Sequence, residues 1–225
     1  QPRVAILCCG DELAEPGVAK QSPNSTPERL SYGIAALARR WGGPVVGRWR
    51  QPDDLACIQI AASEAAEHAD VVVVIGGASV GERDFAKQAF FPLDLDLIFS
   101  KVAIKPGKPV WFGRAGGTLV LGLPGNPTSA LVTARLFLAP LLAGLSGGNK
   151  DDALDWRMTP AATAIAGCSD RDLFIRAAAI SSGTAPLSDQ DSASQKALAN
   201  ATLLIWHGRG EPPVEANALV RTLTF

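Results

Sequence analysis

Residues 1–147 are predicted to form an α/β fold, a doubly wound and mostly parallel sheet, followed by a small β-rich domain over 153–225. Three observations predict it. Segments patterned as strands alternate with segments patterned as helices along the first two thirds of the chain. DVVVVI at Asp70–Ile75 is an unbroken Val/Ile run, as in a central strand covered on both faces. The polar residues of this half gather where strands end, the place where doubly wound sheets bind ligands.

The elements follow in order. RVAILCC at Arg3–Cys9 reads as a buried strand that stops at Gly10, and Glu28–Trp41 as a helix with Ile34, Leu37, Ala38 and Trp41 on one face. Pro44–Arg50 is a second strand. Asp53 and Asp54 open an Ala-rich helix reaching about His68, where carboxylates suit the helix N-terminus. Gly76-Gly77 breaks the Val/Ile strand and a helix follows over Asp84–Ala89. Strands are expected near Leu97–Ile104, Val110–Phe112 and Leu119–Leu121, then a long helix over Thr128–Leu145. SGGNKDD at Ser146–Asp152 is a linker by composition. Beyond it, Trp156–Ile165, Leu173–Ile180, Thr202–Trp206 and Leu219–Leu223 read as short strands, with one short helix near Ala193–Leu198.

Composition excludes several classes. The 225 residues are 47% hydrophobic with formal net charge −1, enough apolar material for a full core and no massed charge to grip nucleic acid. No apolar run in the sequence approaches the roughly 20 residues that span a bilayer, and no signal-peptide layout opens the chain. The missing initiator Met leads us to expect a fragment of something longer. Four cysteines lack metal or disulfide spacing and fit buried thiols in a reducing compartment. With two histidines, any chemistry must rest on carboxylates, lysines, hydroxyls and backbone amides.

The strand ends carry the candidate site. GGASVG offers Gly76, Gly77 and Gly81, whose backbone N–H groups can approach an anion, with the Ser79 hydroxyl as a further donor. Glu12, Asp53 or Asp54, and Asp84 put three acidic groups at one rim, hard oxygen ligands suited to Mg²⁺; Asp84 could equally cap the following helix. Lys101 and Lys105 are an even number apart, so they share a face if one strand holds both. Lysines facing carboxylates suit a phosphate bridged by a metal. In GLPGNP, Pro124 and Pro127 stiffen the loop, and Asn126 or Thr128 can cap the long helix behind it. On these grounds the ligand contains phosphate and comes with a metal.

RVAILCCGDELAEPG, ADVVVVIGGASVGERDF, KVAIKPGKPVWFG and VLGLPGNPTSALV together resemble the molybdopterin molybdotransferase family, the bacterial MoeA proteins and the gephyrin E domain. The tail resembles that family's C-terminal domain more weakly, through RDLFIRA, Gln190-Asp191-Ser192 and LANATLLI. The resemblance implies a cytoplasmic, homodimeric transferase of molybdenum cofactor biosynthesis. Such an enzyme takes adenylated molybdopterin, cleaves the adenylate with Mg²⁺ and inserts molybdate. Carried over by position, Glu12, Asp53 or Asp54 and Asp84 match the acidic residues and Lys101 and Lys105 the basic ones. Asp84, Lys101 and Lys105 would be catalytic, Pro124, Pro127 and Ser192 would contact the cofactor, and Gly76–Gly81 would cradle the pterin phosphate. Where the family usually opens a helix with Asp-Ser-Asn or Asp-Thr-Asn, this chain has Glu28-Arg29-Leu30. The family's N-terminal domains have no counterpart here. A non-catalytic molybdopterin-binding or protein-anchoring module is the alternative, and the adenylylating branch of the superfamily a third.

Overall fold

The structure, a computed structural model, describes residues 1–18, 25–76, 85–167, 170–192, 194 and 198–225. A six-stranded sheet occupies the first part of the chain. Its strands are β1 (Val4–Cys9), β4 (Val45–Gln51), β5 (Val71–Ile75), β6 (Asp96–Ser100), β8 (Trp111–Ala115) and β9 (Thr118–Leu123). They lie in the order β4-β1-β5-β9-β8-β6. β4, β1, β5 and β9 run parallel, while β8 and β6 are added antiparallel at one edge. Two short strands, β2 (Leu13–Ala14) and β3 (Thr26–Pro27), pair outside it.

Both faces of this sheet are covered, as the Val/Ile run predicts. Val4, Ile6, Cys8, Val71 and Val73 face the side packed by helix α1 (Leu30–Arg40). Ala5, Leu7, Cys9, Val72 and Val74 face the side packed by α2 (Leu55–His68) and the single turn α3 (Phe85–Gln88). Alternate residues of one strand thus serve two cores. Truncating Ile6 to alanine removes about 2–5 kcal/mol of stability.

The long helix continues from Pro127 to Leu145 but changes character midway. α4 (Pro127–Thr133) passes into a π-helical turn, Ala134–Leu138, and then α5 (Ala139–Leu145). Pro140 has no N–H to give the Leu136 carbonyl, and the helix widens just before it, with the Ala139 N–H reaching back to the Ala134 carbonyl. By length and composition this 19-residue run is apolar enough to cross a membrane, which corrects the expectation that no such run exists; most of it is buried in the protein, as in a core helix. Arg135, within the π-helical turn, is buried and donates to the Thr224 and Ala153 carbonyls at 2.8 and 2.7 Å. Burial lowers its pKa to about 10.

The second sheet orders β10 (Arg157–Pro160), β14 (Leu219–Thr224), β13 (Leu203–His207), β11 (Asp172–Ile180) and β12 (Gly183–Pro186), all antiparallel. An Ala161–Thr184 bridge and a 2.9 Å Thr159–Thr184 hydroxyl contact draw its two ends together. β12 has no counterpart among the strands expected from sequence, and the expected helix near Ala193–Leu198 falls mostly outside the described residues.

One expected element divides. Leu97–Ile104 is not a single strand: β6 ends at Ser100, Lys101 turns with φ 71°, and β7 (Ile104–Lys105) begins afresh. β7 then leaves the first sheet and pairs in parallel with β11 of the second. Phe174, Leu204 and Leu223 of the second sheet accordingly join the same core as Val4 and Ile6.

Candidate functional site: two cavities with one shared wall

Two cavities meet at the GLPGNP loop. Pro124 and Asn126 line one of them, Gly125 and Pro127 the other. Pro124, Gly125, Asn126 and Pro127 therefore build a partition that presents successive residues to opposite sides and still starts a helix at Pro127.

The first cavity, about 500 Å³, opens at the ends of β1 and β5. Asp11, Glu12, Glu28 and Asp53 line it, with Arg29 the only cation among its described lining residues. Asp11 is held in place by the Asp53 backbone, whose N–H donates to its Oδ1 at 2.9 Å. Gly76 ends β5 at φ 85°, and a Cβ there would stand 2.5 Å from the Cys9 carbonyl oxygen, so only glycine closes this corner. Cys8 and Cys9 register the surroundings. Burial, then the charge of Asp53, pushes the Cys9 thiol up to about 12; burial, then the charge of Glu28, pushes Cys8 up further.

Glu28 sits at the helix entrance where the resemblance leads one to expect Asp. It is 5% exposed, and accepts from the Ser31 N–H at 2.8 Å and the Ser31 hydroxyl at 2.5 Å. Arg29, at the N-cap position, makes no capping bond, so Glu28 satisfies the α1 terminus from one residue earlier. Arg48 donates to the Ser31 hydroxyl at 2.8 Å and stacks on Tyr32 at 3.8 Å. Glu28 is absent from the sequence-predicted site; its signal was the Glu-x-x-Ser spacing at the start of the helix.

The second cavity, about 740 Å³, lies between the IKPGKP turn and the second sheet. Lys105, Lys108 and Arg171 line it against one carboxylate, Asp191. The turn contains a cis Lys105–Pro106 bond and Gly107 at φ 111°, where a Cβ would meet the Thr133 methyl at 2.2 Å. Opposite, the Gln190 side chain zips onto β11, accepting from the Arg176 N–H at 3.1 Å and donating to the Arg176 carbonyl at 2.8 Å. That docking carries Ser192 to the GLPGNP wall. The Asn126 amide donates to the Ser192 hydroxyl at 3.0 Å, the Thr128 N–H to the Ser192 carbonyl at 3.2 Å. The α4 terminus is thus capped by the C-terminal segment, and not by the side chain of Asn126, which makes no cap bond.

The predicted site residues fall into three groups. Glu12, Asp53, Gly76 and Pro127 line the acidic cavity; Lys105, Pro124 and Ser192 line the basic one. Asp54 lines neither, because it caps α2 by accepting from the Cys57 N–H at 2.9 Å, which holds its carboxyl below the usual range. Lys101 also lines neither, and the break after β6 ends the shared face expected of it and Lys105. Gly77, Ser79, Gly81 and Asp84 lie outside the described residues. Among the described residues no group of three or more His, Cys, Asp or Glu could hold a metal ion. The acidic lining is nonetheless all hard oxygen, and Mg²⁺ is commonly held by one or two carboxylates together with substrate phosphates and water. These side chains are of the type that would hold such a cation together with a phosphate ligand. Arg171, Gln190 and Asp191 are among the basic-cavity residues absent from the sequence-predicted site; Lys108 is legible in the sequence beside Lys101 and Lys105, through the KPGKP repeat, and Asn126 only as a helix cap.

Residues 5–144 match the family model described as "Probable molybdopterin binding domain". A molybdopterin molybdenumtransferase of Haemophilus influenzae is 37% identical over 166 residues, 74% of this chain and 39% of that protein. Molybdopterin molybdenumtransferase 2 of Mycobacterium tuberculosis is 38% identical over 145 residues, 62% of this chain and 36% of the relative. This chain therefore spans well under half the length of these relatives. Among solved structures, a molybdopterin biosynthesis MoeA protein from Pyrococcus horikosii superposes on all of this chain and 54% of its own, with TM-score 0.84 and 22% identity. That likeness confirms the fold, a mostly parallel α/β sheet joined to a β-rich part.

Proposed function

From a chain that belongs to the molybdopterin-binding-domain family, we propose a part in molybdenum cofactor biosynthesis: insertion of molybdate into adenylated molybdopterin with cleavage of the adenylate. The observation that carries this reading is the separation of charge across one loop. Four carboxylates and one cation line one cavity, three cations and one carboxylate the other, which suits a substrate pair of a phosphate-bearing molecule and an oxyanion.

In this reading Glu12 and Asp53 would hold Mg²⁺ beside the phosphates of the adenylate, and Arg29 meets a phosphate oxygen directly. The cation supplies charge neutralisation on the bridging phosphates. Gly76 leaves room for the ligand beside the ends of β1 and β5. Lys105, Lys108 and Ser192 orient molybdate, and Pro124 fixes the wall between the two guests, so positioning and electrostatics do most of the work. Asp84 belongs to the proposed cation site, with alanine there lowering turnover far more than stability. We assign residues 1–147 and 153–225 as the two functional domains, a homodimer as the assembly and the cytoplasm as the compartment, in keeping with the reduced Cys8, Cys9 and Cys57. Size-exclusion chromatography with light scattering tests the assembly.

The test of function is calorimetric titration with adenylated molybdopterin, with and without Mg²⁺ and molybdate, while AMP is monitored. Mg²⁺-dependent binding followed by AMP release is expected. Binding without release would replace the transferase by a non-catalytic carrier.

A further inference from the structure

We propose that Asn126 is a positioning residue of the basic cavity, aiming the Ser192 hydroxyl proton at the bound oxyanion. This rests on the reading of that cavity as the oxyanion site. A serine hydroxyl has one proton and two lone pairs. Ser192 Oγ accepts from the Asn126 side-chain amide at 3.0 Å, so its own proton is directed away from that nitrogen.

The backbone that carries Ser192 is held from both sides. The Ser192 carbonyl takes the Thr128 N–H at 3.2 Å, and the Thr128 hydroxyl donates to the Ser194 carbonyl at 3.3 Å. Thr128 itself is fully buried at the start of α4, so the anchor is rigid. Gln190 grips β11 two residues upstream. Ser192 is therefore pinned through its backbone, and Asn126 sets its side chain. Both line the cavity that holds Lys105 and Lys108. An oxyanion accepts hydrogen bonds only, so a hydroxyl held as donor favours it, whereas a rotating hydroxyl must first be ordered.

Asn126 makes this bond from the partition between the cavities, yet acts on the basic side alone. Its effect should pass through Ser192 and nowhere else. A double-mutant cycle reads that coupling.

The experiment titrates this chain with molybdate and tungstate calorimetrically, alongside Asn126→Ala, Asn126→Asp, Ser192→Ala and the Asn126→Ala/Ser192→Ala double variant. Melting temperature is followed for each. Asn126→Ala should weaken oxyanion binding by about fivefold, the scale of one hydrogen bond. Asn126→Asp keeps the shape but presents an acceptor and a charge, and should lose at least about tenfold with little change in melting temperature. In the Ser192→Ala background Asn126→Ala should cost nothing more. Equal losses in both backgrounds would overturn the positioning role while leaving the oxyanion cavity standing. No binding by the unmodified chain would remove the oxyanion reading, and this inference with it.

Discussion

The acidic and basic cavities share one loop and differ in nearly everything else. The acidic cavity is built from residues of the first sheet and its connections, between Cys8 and Pro127. Its counterpart needs both halves of the chain, from Ile104 in the turn to Ser192 in the tail. The first is a property of one sheet's strand ends; the second exists only because β7 crosses to pair with β11. Fold-level reasoning can find a site of the first kind. A site of the second kind depends on a contact between segments that no local pattern announces.

The largest effect expected from breaking this contrast is structural. Gly76→Ala forces a side chain into φ 85° and against the Cys9 carbonyl, which should cost about 3 kcal/mol by denaturant titration. A loss below about 1 kcal/mol would show that the corner of the acidic cavity relaxes. Next comes charge. Reversing Lys105 and Lys108 together to Glu should weaken molybdate at least about a hundredfold and leave Mg²⁺-dependent binding of the adenylate intact. Comparable losses of both ligands would mean that the cavities act as one site.

Smaller effects separate the neighbouring aspartates. Asp53→Asn should reduce Mg²⁺-dependent binding of the adenylate by about tenfold, whereas Asp54→Ala should leave it unchanged and lower the melting temperature. The opposite pattern would exchange their roles. The pH dependence of Asp54 sharpens this. Because the Cys57 N–H holds its carboxyl below the usual range, its stabilisation is present above the ordinary value of about 3.9 and lost as pH falls through the folded value. The gap in melting temperature between Asp54→Ala and the unmodified chain should therefore close at acid pH. A constant gap from pH 7 to pH 3 would rule out the carboxylate charge as a source of the cap's stabilisation.

Legibility in the sequence follows the same division. DVVVVI predicts β5 because burial on both faces demands an unbroken apolar run, and the polar ends of the patterned strands point to Glu12, Asp53 and Gly76 by position alone. Lys101 shows where the pattern misleads. Its alternation with Lys105 is real, but φ 71° at Lys101 ends one strand before the next begins. Asp54 shows another kind of ambiguity, since a carboxylate beside a helix start serves equally as cap or as ligand until its partner is known. Arg171 and the Ser192 contact of Asn126 stay hidden because each draws its place from a partner distant in sequence or from the shape of a cavity, whereas Glu28 is legible in its local spacing to Ser31.

The passage of β7 into the second sheet also sets an order of manufacture. During synthesis every described residue lining the acidic cavity has been made once Pro127 has left the ribosome, and its sheet can close around local crossovers. Ile104 and Lys105 must wait for Asp172 and Leu173, and the basic cavity waits longer still, for Ser192. A nascent chain halted between those points would carry a finished acidic cavity and a bare turn where the basic one has yet to form.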